Sequence, residues 1–106
     1  MIFYSEAFEN QINEIVGILF EKGYLGFKES ALEYGDKIYD FILKNIDKPI
    51  SRFSPKNFEK FGEFYIKYKA NENTTWYIFF DKKDHRFLVN HIFNNHAEQF
   101  PELFLE

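Results

Sequence analysis

The side chains best suited to acid–base chemistry in this sequence are its three histidines, His85, His91 and His96. An imidazole changes its charge near neutral pH, so each could take or give a proton. His91 has a predicted structural role, because period-two alternation in a predicted strand gives it three apolar neighbours, Phe87, Val89 and Phe93. His85 falls in a polar turn and is expected to be solvated. His96 follows the last predicted strand and is therefore the candidate acid or base.

No recognised metal or nucleophile pattern accompanies the histidines. Their spacing does not match zinc-ligand motifs, and the chain has no cysteine to complete such a set. The absence of cysteine also predicts no disulfides and favours a reducing compartment. A glycine-rich phosphate loop, a Ser-His-Asp grouping and a paired-carboxylate signature are not evident in the sequence. We therefore expect no cofactor.

Recognition of phosphate or carboxylate groups would need cations, and the chain has two arginines, Arg52 and Arg86. In a predicted strand, Tyr65, Lys67 and Lys69 alternate onto one face, and apolar residues take the other. A face that carries cations and a ring suits a single-stranded nucleic acid. It equally suits an acidic or amphipathic protein segment, or it is an ordinary solvated sheet face.

A three-stranded antiparallel meander must position these groups. Val, Ile, Thr and aromatic side chains dominate residues 61–96, and such residues pack well on a half-buried pleated surface. The strands are predicted over residues 62–70, 74–81 and 87–94. Short polar turns join them. The sequence therefore predicts a sheet with one face turned to the rest of the chain.

Two amphipathic helices precede the meander. An apolar run over residues 2–4 predicts a first strand, and Ser5 is the predicted N-cap of a helix that continues to about Lys22. Its apolar stripe is Phe8, Ile12, Ile15, Val16, Leu19 and Phe20. Gly17 interrupts this helix, which predicts close approach of the second helix. Glycines at the ends of residues 23–26 predict a tight reversal, and a second helix over residues 27–45 completes a hairpin.

Two further segments have open roles. Residues 51–60 contain Pro55 and are predicted to be irregular, either a crossover from helix to sheet or a functional loop. The segment after His96 is rich in apolar residues, including Phe100, Leu103 and Phe104. It either folds back onto the free sheet face or offers a hydrophobic anchor to another chain.

The composition describes a single acidic domain. The 106 residues are enough for one core, so one domain over residues 1–106 is predicted. The net charge of −4 weighs against wholesale phosphate binding. Aromatic residues make up 22% of the chain, enough to fill a core and leave some rings for a partner. No leader or membrane span is evident, so we expect a cytoplasmic protein that makes no membrane contact. The oligomeric state does not follow from the sequence.

The order strand, helix, helix, three-stranded meander resembles the RelE/ParE toxin superfamily of bacterial toxin–antitoxin modules. The resemblance also rests on the aromatic pair Trp76-Tyr77 in the middle strand and on the polar cluster Asn94-Asn95-His96 after the last one. It implies an α+β fold, β-α-α-β-β-β, with a helical hairpin packed on one face of a mostly antiparallel four-stranded sheet. It also implies the toxin component of a type II module with an antitoxin as its partner. Such a toxin acts on messenger RNA at the ribosome or on DNA gyrase.

In the nuclease members of this superfamily, catalysis needs no metal. The resemblance implies that His96 is the acid or base and that Tyr77 stacks or orients the substrate, while Lys67 and Arg52 are our candidates to hold phosphate. The chain departs from the nuclease pattern at Thr74, where those members commonly carry an arginine, and at Asn95, where a tyrosine is frequent. Threonine cannot replace a bidentate phosphate clamp.

A second hypothesis belongs to a different functional class. The same fold could serve as a noncatalytic protein-interaction module that binds a partner through its Phe-rich tail and an open sheet face. A gyrase-type toxin lies between the two hypotheses, because it is a toxin without a nuclease site.

Overall fold

In the computed structural model, which describes residues 1–22, 28–98 and 100–101, two helices pack against a mixed five-stranded sheet. The protein is therefore of the α+β class. The strands are β1 (Ile2–Tyr4), β2 (Arg52–Phe53), β3 (Phe64–Asn71), β4 (Thr74–Lys83) and β5 (Arg86–Asn94). The helices are α1 (Glu6–Glu21), α2 (Lys28–Asn45) and a 3₁₀ helix over Lys56–Phe61. No helix within the described residues is both long and apolar enough to cross a bilayer.

The sheet order is β1-β5-β4-β3-β2, with β1 parallel to β5 and all other neighbours antiparallel. The predicted meander is confirmed as β3, β4 and β5. The prediction of four strands is wrong, because β2 adds a fifth at the outer edge of β3. Arg52 pairs with Tyr65 and Phe53 with Phe64, within a segment that was predicted to be irregular.

The same segment contains a second regular element. Pro55 lies immediately before the 3₁₀ helix with φ −57° and ψ 153°, and the Phe58 amide donates to the Pro55 carbonyl at 2.8 Å. Proline thus fixes the start of this helix rather than preventing a regular element. Because Phe58 is 2% exposed, the 3₁₀ helix is a packed part of the fold and not a free loop.

Helix α1 begins as predicted. The Ser5 hydroxyl oxygen accepts a hydrogen bond from the Phe8 amide at 3.0 Å and so satisfies one of the free donors of the first turn. Phe8 and Ile12 are fully or almost fully buried against the sheet. Phe20 is 46% exposed, so its predicted place in the buried stripe is wrong. The predicted reversal at residues 23–26 and the start of the second helix at residue 27 lie outside the described residues.

Of the helical glycines in the described residues, Gly35 of α2 faces the other helix closely and Gly17 of α1 does not. A Cβ atom added at Gly35 would lie 2.9 Å from Val16 Cγ2, whereas one added at Gly17 would have nothing within 4 Å. The predicted close approach at Gly17 is therefore wrong. The small residue that permits the contact lies on the other helix.

A β-bulge divides β5 between the two faces of the sheet. Phe79 of β4 pairs with His91, but the next residue, Phe80, pairs with Val89, so Asn90 is extra. An extra residue shifts the alternation of side chains by one position. Val89 therefore packs with the helices, whereas His91 lies on the opposite face. The prediction that Phe87 and Val89 share a face with His91 is wrong for this reason.

We call the sheet face that packs on α1 and α2 the helix-side face, and the other the second face. The second face is not open along β4 and the end of β5. Its aromatic cluster is completed by Phe58 from the 3₁₀ helix and by Phe100, whose ring centroid lies 5.4 Å from that of Tyr77. Of the two alternatives for the segment after His96, folding back onto the sheet holds as far as Phe100. Residues 102–106 lie outside the described part.

Candidate functional site

Lys67 and Arg52 share one surface. Lys67 pairs with Tyr77, which places the exposed Lys67 side chain on the second face. Arg52 pairs with Tyr65, and directly paired residues point to the same face of a sheet. Tyr65 lies two residues before Lys67, so the side chains of Arg52 and Lys67 lie on the same face. Lys69 follows at the next position of this face. We call Arg52, Lys67 and Lys69 the cationic patch.

Tyr77 is buried between the sheet and Phe100. Its side chain is 6% exposed, and burial raises the pKa of its hydroxyl, with a further contribution from Tyr65. A ring in this position contributes to the aromatic cluster of the second face through contacts with Phe93 and Phe100. It does not offer a free face on which a substrate base could stack.

His96 lies on the other side of the sheet end. Its Nε2 atom is 3.4 Å from Thr74 Oγ1, and its backbone amide donates to Asn94 Oδ1 at 2.8 Å. The exposed imidazole borders a depression of about 460 Å³ whose walls include Tyr34 and Trp76. Because these walls belong to the helix-side face, His96 and Lys67 lie on opposite faces. The structure therefore does not bring the four predicted site residues together.

The His96 depression has polar groups but no cation among its described lining residues. Its lining residues are Ile15, Ile18, Leu19, Tyr34, Thr74, Trp76, Asn94 and His96. The Thr74 hydroxyl contacts the His96 imidazole. A developing phosphorane charge would thus find a hydroxyl and an imidazole here, but no guanidinium.

The cationic patch has no charge partner within the described residues. None of its three side chains forms an ion pair or a side-chain hydrogen bond there, although the chain contains 17 carboxylates and 13 cations. The charges are distributed unevenly along the chain. Residues 1–51 contain nine Asp or Glu and five Lys or Arg, whereas residues 52–96 contain five and eight. The sheet half is therefore positive and the helical half negative.

His91 is held neutral by a fixed hydrogen-bond arrangement. The Ile92 amide donates to Gln11 Oε1 at 3.1 Å, which turns Gln11 Nε2 towards His91 Nδ1 at 3.1 Å. The amide nitrogen is a donor, so Nδ1 must accept and cannot carry a proton. The ring also stacks on Phe61 with 3.8 Å between centroids. Burial, and then the charge of Lys60, lower the His91 pKa to about 4. Its predicted structural role is confirmed.

A buried Trp–Tyr contact was not predicted from the sequence. Trp76 Nε1 donates to the Tyr34 hydroxyl at 2.8 Å, and this bond joins β4 to α2. Burial raises the Tyr34 pKa, and the bond to Trp76 partly opposes this. The signal in the sequence is that a buried indole N–H needs an acceptor, but the sequence does not say which residue supplies it.

No protein-family model, curated protein or solved structure matches this chain. The resemblance to the RelE/ParE superfamily therefore stays a prediction. Functional interpretation depends on the two surfaces described above, the cationic patch and the His96 depression.

Proposed function

We propose that this chain is a noncatalytic interaction module that binds an acidic partner protein through the cationic patch. The observation that carries the proposal is that Arg52, Lys67 and Lys69 are exposed on one face and have no charge partner within the described residues. Opposite charges steer and orient a partner when they meet across an interface. An acidic segment would supply the carboxylates that the described residues do not.

The aromatic packing favours a protein partner over a single-stranded nucleic acid. Nonspecific binding of single strands combines cations with exposed rings on which the bases stack. The rings that share the face of the patch are almost fully buried, with Tyr65 8% and Tyr77 6% exposed. The net charge of −4 also opposes the approach of a polyanion as long as RNA. A short acidic segment needs the local cations and no stacking surface.

The toxin–antitoxin role is one form of this proposal. An antitoxin whose neutralising segment bears carboxylates would be an acidic partner of the kind the patch fits. A gyrase-type toxin is compatible with it as well, because its action requires binding and no nuclease site. The metal-independent endoribonuclease is the second candidate, supported by the exposed His96 imidazole beside the Thr74 hydroxyl. Its weakness is that Lys67 and Arg52 lie on the opposite face.

Binding of a defined polyanion tests the first candidate. We expect purified protein to bind polyglutamate at low salt with an affinity that falls as salt rises. The triple variant Arg52→Gln, Lys67→Gln, Lys69→Gln should lose at least tenfold in affinity. The matched control Lys22→Gln, Lys37→Gln, Lys44→Gln removes three exposed cations from the helical half and should bind as wild type. Equal losses in both triple variants would refute a specific role of the patch.

Induced expression in a bacterial host separates the two candidates. If the chain is a nuclease, it should arrest growth, and His96→Ala should relieve the arrest. If it arrests growth by binding an acidic host protein through the patch, arrest should persist in His96→Ala and disappear in the triple patch variant. Growth arrest that survives both changes would contradict both site assignments, and no arrest at all would leave the toxin interpretation without support.

A further inference from the structure

The outer edge of β3 is covered by a strand only at its beginning. On this side, β2 pairs with Phe64 and Tyr65, and no strand within the described residues pairs with β3 beyond Tyr65. The stretch from Lys67 to Asn71 spans about 13 Å at the usual rise of a strand. A register shift between Lys69 and Asn71 interrupts its pairing with β4. Unpaired strand edges are templates for pairing with another chain.

The direction of the backbone groups at this edge follows from one hydrogen bond. The Ser54 amide donates to the Glu63 carbonyl at 2.8 Å, so Ser54 and Glu63 continue the β2–β3 register. Two residues along, the Arg52–Tyr65 pair then directs the backbone groups of Tyr65 to β2 and away from β4. In an antiparallel strand this direction alternates with a period of two. The amides and carbonyls of Lys67 and Lys69 therefore point outward, whereas those of Ile66 and Tyr68 point to β4. The same two residues that carry the charges also present outward backbone groups to which no described residue bonds.

Lysine at a sheet edge ordinarily prevents pairing, because a like-charged or apolar strand gains little beside it. A strand with a carboxylate opposite each lysine reverses this effect, since directly opposed side chains share a face and opposite charges attract. On the helix-side face the edge is bordered by Tyr68, whose ring packs on that of Phe41 with 4.8 Å between centroids. An incoming strand would therefore meet cations on one face and an aromatic surface on the other.

We propose that the edge of β3 at Lys67 to Lys69, before the register shift that follows Lys69, binds an extended segment of a partner protein in which acidic and apolar residues alternate. The segment adds a sixth strand to the sheet. Its carboxylates lie opposite Lys67 and Lys69, and its apolar side chains lie beside Tyr68. This inference rests on the proposed function and specifies how the partner binds, because it adds backbone pairing to the charge attraction.

Two peptides of equal composition test the inference. The first is an acetylated seven-residue peptide that alternates glutamate and valine, starting and ending with glutamate. The second has the same residues in two blocks, with four glutamates followed by three valines. The alternating peptide should bind at least tenfold more tightly than the block peptide. On binding, amide hydrogen exchange at Lys67 and Lys69 should slow at least tenfold, while exchange at Ile66 should not change.

A proline variant at residue 69 removes one backbone N–H donor from the edge of β3 without removing the residue from that edge. Lys69→Pro lacks the outward amide, and proline is tolerated at strand edges whose amides face solvent. Lys69→Gln removes the same charge but keeps the amide. The alternating peptide should bind the proline variant at least tenfold more weakly than the glutamine variant. If the proline variant does not fold, exchange at Lys67 and Lys69 in the wild-type protein decides the question.

The possible failures are distinguishable. Equal binding of both peptides without amide protection would overturn the strand pairing but leave the charge-based interaction of the proposed function in place. Failure of both peptides and of polyglutamate to bind at low salt would overturn both. Binding of oligouridylate with no binding of either peptide would overturn both in favour of a nucleic-acid partner.

Discussion

At the scale of single residues, His91 shows how a titratable group becomes structural. Three groups from separate elements hold it: Gln11 of α1, Phe61 of the 3₁₀ helix and Phe79 of β4. Gln11 bonds both His91 and the Ile92 amide, so its amide group has one orientation. A protonated ring would place a donor against this amide nitrogen. The fold therefore stabilises the neutral imidazole and resists its protonation.

This arrangement predicts a pH-dependent stability. The unfolded histidine has a pKa near the ordinary value of 6.5, and the folded one has a pKa of about 4. Between these values the unfolded state takes up a proton that the folded state does not, so the free energy of unfolding falls as the pH is lowered from about 6.5 to about 4. In His91→Gln, the slope of the free energy of unfolding against pH should correspond to the uptake of about one proton fewer on unfolding. Urea unfolding at several pH values across that range measures this slope. His85→Gln removes an exposed histidine and should keep the wild-type slope; if it flattens the profile equally, the assignment to His91 fails.

The bond between Trp76 and Tyr34 gives a second prediction at this scale. Trp76 is 6% exposed, so removing its acceptor in Tyr34→Phe leaves an indole N–H without its partner. We expect the free energy of unfolding to fall by about 1–2 kcal/mol. Tyr68→Phe removes a hydroxyl for which the described residues provide no hydrogen-bond partner, and should cost less than half as much. Chemical denaturation of both variants measures the difference, and equal losses would show that the Trp76 bond contributes little.

At the scale of elements, short features set the geometry of the larger ones. Gly35 allows α1 and α2 to approach, and the bulge at Asn90 turns His91 away from the helices. Gly62, with φ +151°, lets the chain pass from the 3₁₀ helix onto the sheet, where a Cβ atom would lie 2.6 Å from the Phe80 amide nitrogen. The 3₁₀ helix is thereby fixed over the second face. This placement buries Tyr65 and Phe79 and leaves Lys67 outside the covered area.

The helix contact predicts opposite effects of two similar substitutions. Gly17→Ala adds a methyl group where nothing lies within 4 Å, so the gain in helix propensity should raise the free energy of unfolding by about 1 kcal/mol. Gly35→Ala places its methyl group 2.9 Å from Val16 Cγ2. The resulting strain should exceed the gain in helix propensity, so the free energy of unfolding should fall by about 1–2 kcal/mol. Thermal and urea unfolding of the pair measures both. A stabilised Gly35→Ala variant would show that the helices separate at little cost.

At the scale of the whole molecule, the sheet separates two kinds of surface. The helical half carries most of the negative charge, and the cationic patch lies on the opposite side of the sheet at its β3 edge. The His96 depression opens on the helix-side face. A partner attracted to the patch would approach the molecule away from the acidic helices and away from His96. The two candidate functions therefore use different faces of one molecule.

The unpaired state of the patch predicts that binding and stability respond differently to its removal. Lys67 and Lys69 are exposed like charges two residues apart on one strand, so they contribute little to folding or oppose it slightly. Lys67→Gln with Lys69→Gln should change the free energy of unfolding by less than about 0.5 kcal/mol. The same variant should bind polyglutamate more weakly than wild type. A stability loss well above this limit would indicate that the two lysines have a structural role in the folded chain.

Local patterns determined the elements of this protein and several of their boundaries. Alternation over the meander predicted β3, β4 and β5, and a Ser5 cap followed by a 3.6-residue period predicted α1, because these signals lie within a few neighbouring residues. The same signals placed Lys67 and Lys69 on one strand face. The fifth strand was missed because β2 is two residues long and forms by pairing with β3. No period can appear in so short a segment.

What the tertiary structure alone decided is which groups meet across the sheet. One extra residue at Asn90 reversed the faces expected for Phe87 and Val89, since alternation carries no information about a bulge that forms only against a partner strand. The 3₁₀ helix and Phe100 cover Tyr77. The end of β5 places His96 on the helix-side face, whereas Lys67 lies on the second face. Contacts between residues far apart in the chain depend on the packing of whole elements. Sequence patterns describe each element, and packing then selects the surfaces that remain available to a partner.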